Sequence, residues 1–254
     1  MIKDIKYITR EAGKIIREGF GKNFSFEYKT NESNIVTEID KRAEELIKEF
    51  ITKNFSEHSI LAEESGETIN NSEYIWVVDP LDGTTNFAHG LPIFSVSIGL
   101  RKNDETIAGV VYDVMADNLY SAELNKGSYC NDLRLQVSSE KNIAHSLAVT
   151  GFPYDIADNP EHALELFTKI IKKTRGIRRL GSAAIDFCYV AKGVFDIFWE
   201  VHLNPWDICA GQLIVEEAGG KVTDFKGNSI GLSGTTILCT NNQLHDTMIR
   251  ELIF

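Results

Sequence analysis

A chain of 254 residues, 43% hydrophobic and 25% charged, is ordinary for a soluble globular protein and long enough for one large core or two packed lobes. Its net charge of −11 argues against a general binder of nucleic acid or of anionic membrane, yet leaves room for an anionic substrate, because bound cations invert a local field. The four cysteines, Cys130, Cys188, Cys209 and Cys239, form no C-x-x-C pair, which points to buried thiols in a reduced, cytoplasmic protein rather than a disulfide framework or a zinc site.

Residues 1–20 carry Asp4, Glu11 and Glu18 among apolar positions, unlike a signal peptide, and no apolar run approaches the 18 or so residues of a membrane span. Ile5, Ile8, Ala12, Ile15, Ile16 and Gly19 recur at helical spacing and predict an amphipathic helix over 3–19. The polar stretch from Phe24 to Asn34 is expected to be irregular. Thr37-Glu-Ile-Asp40 resembles a capping box with Asp in place of Glu, and it opens a helix striped by Ile39, Ala43, Leu46, Ile47, Phe50 and Ile51. Ser59–Ala62 reads as a short strand that delivers Glu63-Glu64. The apolar run Ile75–Val78 reads as a buried strand ending in the turn Asp79-Pro80-Leu81-Asp82-Gly83.

Beyond that turn, Ile93–Leu100 and Glu105–Val114 form a predicted hairpin around Lys102-Asn103-Asp104. Leu119–Leu124 and Ser128–Val137 continue it as a meander around Asn125-Lys126-Gly127. Near Ser138–Ile143 the texture changes to alternating strand and helix, so a soft boundary separates an N-terminal lobe, 1–140, from a C-terminal lobe, 141–254. Strands are expected at 146–150, 195–201, 221–225 and 236–240, and helices at 160–173, at 182–191 and at the C-terminus. A further helix has Asn204 as N-cap and Pro205 at N1, and it ends at Gly219-Gly220.

The chemistry concentrates at Asp79–Asn86. Two carboxylates three residues apart at a strand end, then a glycine, two hydroxyls and an amide, can hold a hard cation and present N–H groups to an anion. Read alone, a D-x-x-D-G turn better suits aspartates that cap or hydrogen-bond the local backbone, and the buried strand before it and Thr84-Thr85-Asn86 after it shift the balance toward a site.

Asp79-Pro-Leu-Asp-Gly-Thr-Thr-Asn86 closely resembles the signature of the inositol monophosphatase family. The similarity extends to Leu61-Ala-Glu-Glu-Ser65, to Gly176-Ile-Arg-Arg-Leu-Gly-Ser-Ala-Ala184, to Pro205-Trp-Asp-Ile-Cys-Ala-Gly211 and to Glu217-Ala-Gly-Gly220, and so covers nearly the whole chain. The resemblance implies an α/β fold, a layered α-β-α-β-α sandwich with mixed and antiparallel sheets and the site between the lobes. It implies two or three Mg²⁺ ions per site. Glu63, Asp79 and the Leu81 carbonyl would hold one; Asp79, Asp82 and Asp207 would hold a second. Lys29 and Asp40 would flank a weaker third. Without the resemblance, Asp207 reads as a carboxylate in the first turn of a helix, favourable with its dipole.

The resemblance further implies that Thr84 and Glu63 orient and activate a metal-bound water for in-line attack on phosphorus, without a phospho-enzyme. Gly83, Thr84 and Thr85 would cradle the phosphate, and Asp82, Ala183 and Glu200 would meet hydroxyls of the substrate. Arg178 is a candidate for a further anionic or polyol contact, or equally a surface charge beside Arg175 and Arg179. The expected reaction is Mg²⁺-dependent hydrolysis of inositol 1-phosphate. Alternatives are a dual fructose-1,6-bisphosphatase/inositol monophosphatase, a 3′-phosphoadenosine phosphate nucleotidase (whose motif usually has Lys where this chain has Thr85-Asn86), and a catalytically silent binder, which should have lost a ligand. Lithium sensitivity, a small phosphorylated polyol or sugar as partner, and a homodimer are further expectations of the family.

Overall fold

The computed structural model describes residues 1–29, 34–232 and 235–253. Helices α1 (Ile2–Gly19) and α2 (Glu38–Asn54) form on the expected stripes, and Ile5, Ile8, Ala12 and Ile16 of one and Ile39, Ala43, Ile47 and Ile51 of the other are buried. The capping box holds. Thr37 Oγ1 accepts the Ile39 and Asp40 amides, and the Asp40 carboxylate accepts the Thr37 amide at 2.9 Å. Between these helices, where irregular chain was expected, β1 (Phe26–Tyr28) and β2 (Ile35–Thr37) pair antiparallel. Three residues per strand carry too little alternation to read in sequence. Residues 30–33 of that stretch lie outside the described residues.

The larger sheet holds β3 (Ser59–Ala62), β4 (Gly66–Thr68), β5 (Tyr74–Asp82), β6 (Ser95–Lys102), β7 (Glu105–Asp113), β8 (Asn118–Glu123), β9 (Ser128–Cys130) and β10 (Leu133–Arg134), in the order β10-β9-β8-β7-β6-β5-β3-β4. Only β3–β5 is parallel among its pairs. The single strand expected over 128–137 is instead a hairpin, because Asn131 and Asp132 both adopt left-handed φ (46° and 68°), the geometry of a tight two-residue turn. A one-turn helix, α3 (Thr84–Ala88), follows β5 directly.

The smaller sheet holds β11 (Leu147–Thr150), β12 (Gly176–Arg178), β13 (Ile197–Val201), β14 (Lys221–Thr223) and β15 (Thr236–Thr240), in the order β12-β11-β13-β15-β14. β11 runs parallel to β12 and β13, and the other pairs are antiparallel. Its helices are α4 (Ala163–Ile171), α5 (Ala183–Ala191), α6 (Pro205–Glu217) and α7 (His245–Leu252). α4 starts later than 160 because Glu161 and His162 take φ of 50° and 57°, which no α-helix accommodates.

These elements stack in five layers, as expected. α1 and α2 cover one face of the large sheet with a core that includes Trp76, Val78, Ile98 and Val110. α5 and α6 lie between the two sheets, against Val111 and Tyr120 on one side and Phe198 and Cys239 on the other. α4 and α7 close the far face against Ile197, Trp199 and Leu238. The period of two along β13 thus serves two cores at once. α5 is buried almost throughout, so it lacks a polar face. All four cysteines are buried and unpaired. Among the described residues, no helix is long and apolar enough to cross a membrane.

α6 sits unusually close to the large sheet. A Cβ on Gly99 would lie 2.3 Å from Cys209 Sγ, and one on Gly109 would lie 2.9 Å from the Ala210 backbone. Both glycines are there for space, and that proximity carries the N-terminus of α6 to the end of β5.

Candidate active site

β5 does not stop at Asp79 in a turn, as the sequence suggested; it runs on through Asp82 with a β-bulge. Asp79 pairs with Ser97 and Asp82 with Ser95, so three steps along β5 match two along β6. Without the extra residue, simple alternation would send the two carboxylates to opposite faces of the sheet. With it they share one face, the side from which Ser97 Oγ donates to the Trp206 carbonyl of α6 at 3.3 Å. Pro80 fits a bulge because it has no N–H to give the ladder. Gly83 then turns the chain into α3 with φ 97°, and a Cβ there would crowd the Ile93 carbonyl at 3.0 Å.

Asp207 arrives from α6. Asn204 is the N-cap and Pro205 is N1, as expected, and the Asn204 amide donates to the Asp207 carboxylate at 2.7 Å. The helix-first-turn role and the site role therefore coexist. Asp79, Asp82 and Asp207 offer oxygens that all lie within 4.8 Å of one another, and they form the one such acidic group among the described residues. Burial, then the charges of neighbours that include Glu63, raise Asp79 and Asp207 well above the usual carboxylate range. Asp82 is pushed up to about 6 by burial, opposed by its hydrogen bonds from Ser182 and Ala184. Three oxygen donors crowded this way, with no histidine or cysteine among them, fit a hard divalent cation, whose charge would reverse that shift.

Glu63 stands beside the trio rather than within it. Its carboxylate accepts from Lys29 Nζ at 2.8 Å, and the same ammonium reaches Glu64 at 2.7 Å. Burial works against the charged form of Lys29, but Glu63 and Glu64 outweigh it and raise its pKa. Asp40, pushed up to about 6 mainly by burial, aims its second oxygen at Thr84 Oγ1, 3.0 Å away; that hydroxyl also lies 2.9 Å from the Leu81 carbonyl. Lys29 and Asp40 thus hold Glu63 and Thr84 from behind.

The trio borders a cavity of about 460 Å³ whose walls include Glu63, Asp79, Leu81, Asp82, Gly83, Thr84, Thr85, Ala183, Glu200 and Asp207. Asp82 is fixed from the α5 side by Ser182 Oγ at 2.5 Å and the Ala184 amide at 2.8 Å. Glu200 is buried and raised to about 8, chiefly by burial, with Arg179 opposing. Arg178 is not brought to the cavity: it is exposed on β12, and its guanidinium donates to the Ile177 carbonyl, whereas Arg179, one residue past the strand, forms part of the wall. Sequence reading missed Gly151–Asp155, His202 and Leu203, Arg179 and Asp186, which also line the space. Adjacent residues at a strand end project to opposite sides, which was the available signal for Arg179.

The model of the inositol monophosphatase family matches residues 2–253. The chain belongs to the inositol monophosphatase family. It is 40% identical over 247 residues to the fructose-1,6-bisphosphatase/inositol-1-monophosphatase of Aquifex aeolicus, covering 96% of this chain and 92% of that one. The structure of the extragenic suppressor protein suhB from Bartonella henselae superposes with a TM-score of 0.94 at 35% identity, over 98% of this chain and 97% of that one. Inositol monophosphatase II of Staphylococcus aureus, solved with inositol monophosphate bound, gives a TM-score of 0.82 at 31% identity, over 98% and 91% of the two chains, and a further structure of that protein holds 2′-AMP. Family and relatives together make this chain a phosphatase with an acidic cluster able to hold a metal.

Proposed function

We propose that this protein hydrolyses phosphate monoesters of a polyol, inositol 1-phosphate foremost, with Mg²⁺ held by the acidic cluster. The observation that carries the reading is the convergence of Asp79, Asp82 and Asp207 on one cavity that also exposes Glu200 and the start of α5. Glu63, Asp79 and the Leu81 carbonyl would hold one cation; Asp79, Asp82 and Asp207 would hold another. When bound, the cations supply positive charge against the attacking and departing oxygens of an in-line displacement. Thr84 Oγ1, oriented by Asp40 and the Leu81 carbonyl, and Glu63, oriented by Lys29, position a water and take its proton. Gly83, Thr84 and Thr85 open α3 toward the cavity and receive the phosphate oxygens, since the first amides of a helix have no partner within it. Ester and water become alcohol and inorganic phosphate. Residues 1–140 would thus supply most of the phosphate machinery, and residues 141–254 would supply Asp207 and the alcohol side.

Two readings of the substrate stand side by side. The inositol monophosphate bound to the S. aureus relative supports the cyclitol. The double name of the A. aeolicus relative supports a sugar phosphatase that also accepts fructose 1,6-bisphosphate. Phosphate release from inositol 1-phosphate, fructose 1,6-bisphosphate and 3′-phosphoadenosine 5′-phosphate, run in parallel with and without Mg²⁺, separates them. Fastest Mg²⁺-dependent release from inositol 1-phosphate is expected; release from none of the three would refute the proposal.

A further inference from the structure

Asp186 stands in the first turns of α5, a helix otherwise built of apolar, packed side chains. It is 1% exposed, its Oδ1 has no hydrogen-bond partner among the described residues, and it lines the cavity. A carboxylate near a helix N-terminus gains something from the dipole. That gain would be had equally by an exposed or hydrogen-bonded one, so it does not account for an orphaned oxygen. Buried polar atoms are almost always partnered, and those left open mark a strain or a ligand.

The surroundings favour a ligand. Burial, then the charge of Glu200, raises Asp186 well above the usual carboxylate range, and Arg179 opposes the rise at both carboxyls; all three residues line the same cavity. Opposite Glu200 the wall is Gly151. A Cβ at that position would fall 2.1 Å from Glu200 Oε1, so the glycine leaves the room in which this carboxylate sits. Two buried carboxyl groups and a guanidinium thus line the same cavity as Gly83, Thr84 and Thr85. Such an arrangement matches neighbouring hydroxyls on one carbon skeleton, each of which can donate and accept.

We propose that Asp186 is a specificity-determining residue that hydrogen-bonds a hydroxyl of the alcohol moiety, next to the hydroxyl taken by Glu200, and so selects phosphate esters of vicinal diols. The inference rests on the polyol-phosphatase reading above.

The test uses the Mg²⁺-saturated protein, with inositol 1-phosphate compared against 4-nitrophenyl phosphate, which has no hydroxyl to recognise. Asp186→Ala, which cannot clash, should lower kcat/KM for inositol 1-phosphate about 10-fold or more, mainly through KM, and leave 4-nitrophenyl phosphate within about twofold. Asp186→Asn, which keeps hydrogen-bonding atoms in place, should recover most of the lost discrimination. The thermal midpoint of the alanine variant should equal or exceed that of the unmodified protein, because an unpartnered buried carboxyl is gone. Equal losses on both substrates, or undiminished discrimination in Asp186→Ala, would overturn the inference alone. An unmodified protein that cleaves 4-nitrophenyl phosphate but no faster an ester bearing a vicinal diol would overturn the polyol reading, and this inference with it.

Discussion

Gly109→Ala tests how the site is held together. Gly109 lies on β7, and a Cβ there would meet the Cα and carbonyl oxygen of Ala210, each at 2.9 Å. Both are backbone atoms, so no side chain can swing aside. To reach ordinary contact at 3.4 Å, α6 must retreat by about 0.5 Å at that point. Ala210 is three residues, about one helical turn, beyond Asp207, so the retreat moves Asp207 away from Asp79 and Asp82. Overpacking of this kind costs about 1–3 kcal/mol, and replacing a glycine returns roughly 0.4–1 kcal/mol through the unfolded chain. A net loss of about 1–2 kcal/mol corresponds to a thermal midpoint lower by roughly 2–8 °C for a chain of this size. Mg²⁺ requires near-ideal octahedral geometry, so the Mg²⁺ concentration giving half-maximal activity should rise by more than the stability loss alone implies. Calorimetry and Mg²⁺ titration of activity read the two effects. Gly231→Ala, where a Cβ would meet nothing within 4 Å among the described residues, is the control and should leave melting unchanged or raise it slightly. A Gly109→Ala protein with unchanged melting and unchanged Mg²⁺ dependence would refute the claim that close packing of α6 places Asp207.

Thr37→Ala removes the α2 cap, which accepts the Ile39 and Asp40 amides; denaturant unfolding should show a loss of about 1 kcal/mol, with activity falling further because Asp40 also orients Thr84. His245 is buried between Thr223 and Thr240, 2.9 Å from each hydroxyl, and burial lowers its pKa to about 4. Between that value and about 6.5 the unfolded chain binds more protons than the folded one, so this group's stabilisation is present above pH 6.5 and is lost as pH falls toward 4. From pH 7 to pH 5 the loss should be about 2 kcal/mol, measured as the difference between the unmodified protein and His245→Gln, in which the contribution disappears.

How much of this was legible in the sequence depends on length and on locality. Helices α1 and α2, the capping box at Thr37–Asp40 and the β6–β7–β8 meander have enough residues to show their period, and the structure has them where expected. The three-residue strands β1, β4 and β12 do not, and they were missed. At the site, Asp79, Asp82 and Gly83 announced themselves through proximity in sequence. The bulge that turns the two carboxylates to one face did not, because register is a property of two strands. Asp207 reads alone as a helix-capping carboxylate, and Asn204 and Asp207 are indeed hydrogen-bonded that way. The small residues Gly99 and Gly109, matched to Cys209 and Ala210 more than a hundred positions on, let α6 pack close enough to bring it to the cluster. Asp186 gave no local sign, since its oddity lies in a buried Oδ1 with no hydrogen-bond partner among the described residues.

The central claim, that the carboxylates of Asp79, Asp82 and Asp207 act together in metal-dependent release of phosphate, is tested most directly by Asp207→Asn. Its amide oxygen can still accept the Asn204 N–H that Asp207 accepts at 2.7 Å, so the helix start and the fold should persist. Phosphate release from inositol 1-phosphate in saturating Mg²⁺ should drop by more than the roughly 10–100-fold typical of residues one shell further out. Circular dichroism should match the unmodified protein. Mg²⁺-dependent turnover at the unmodified rate would contradict the account.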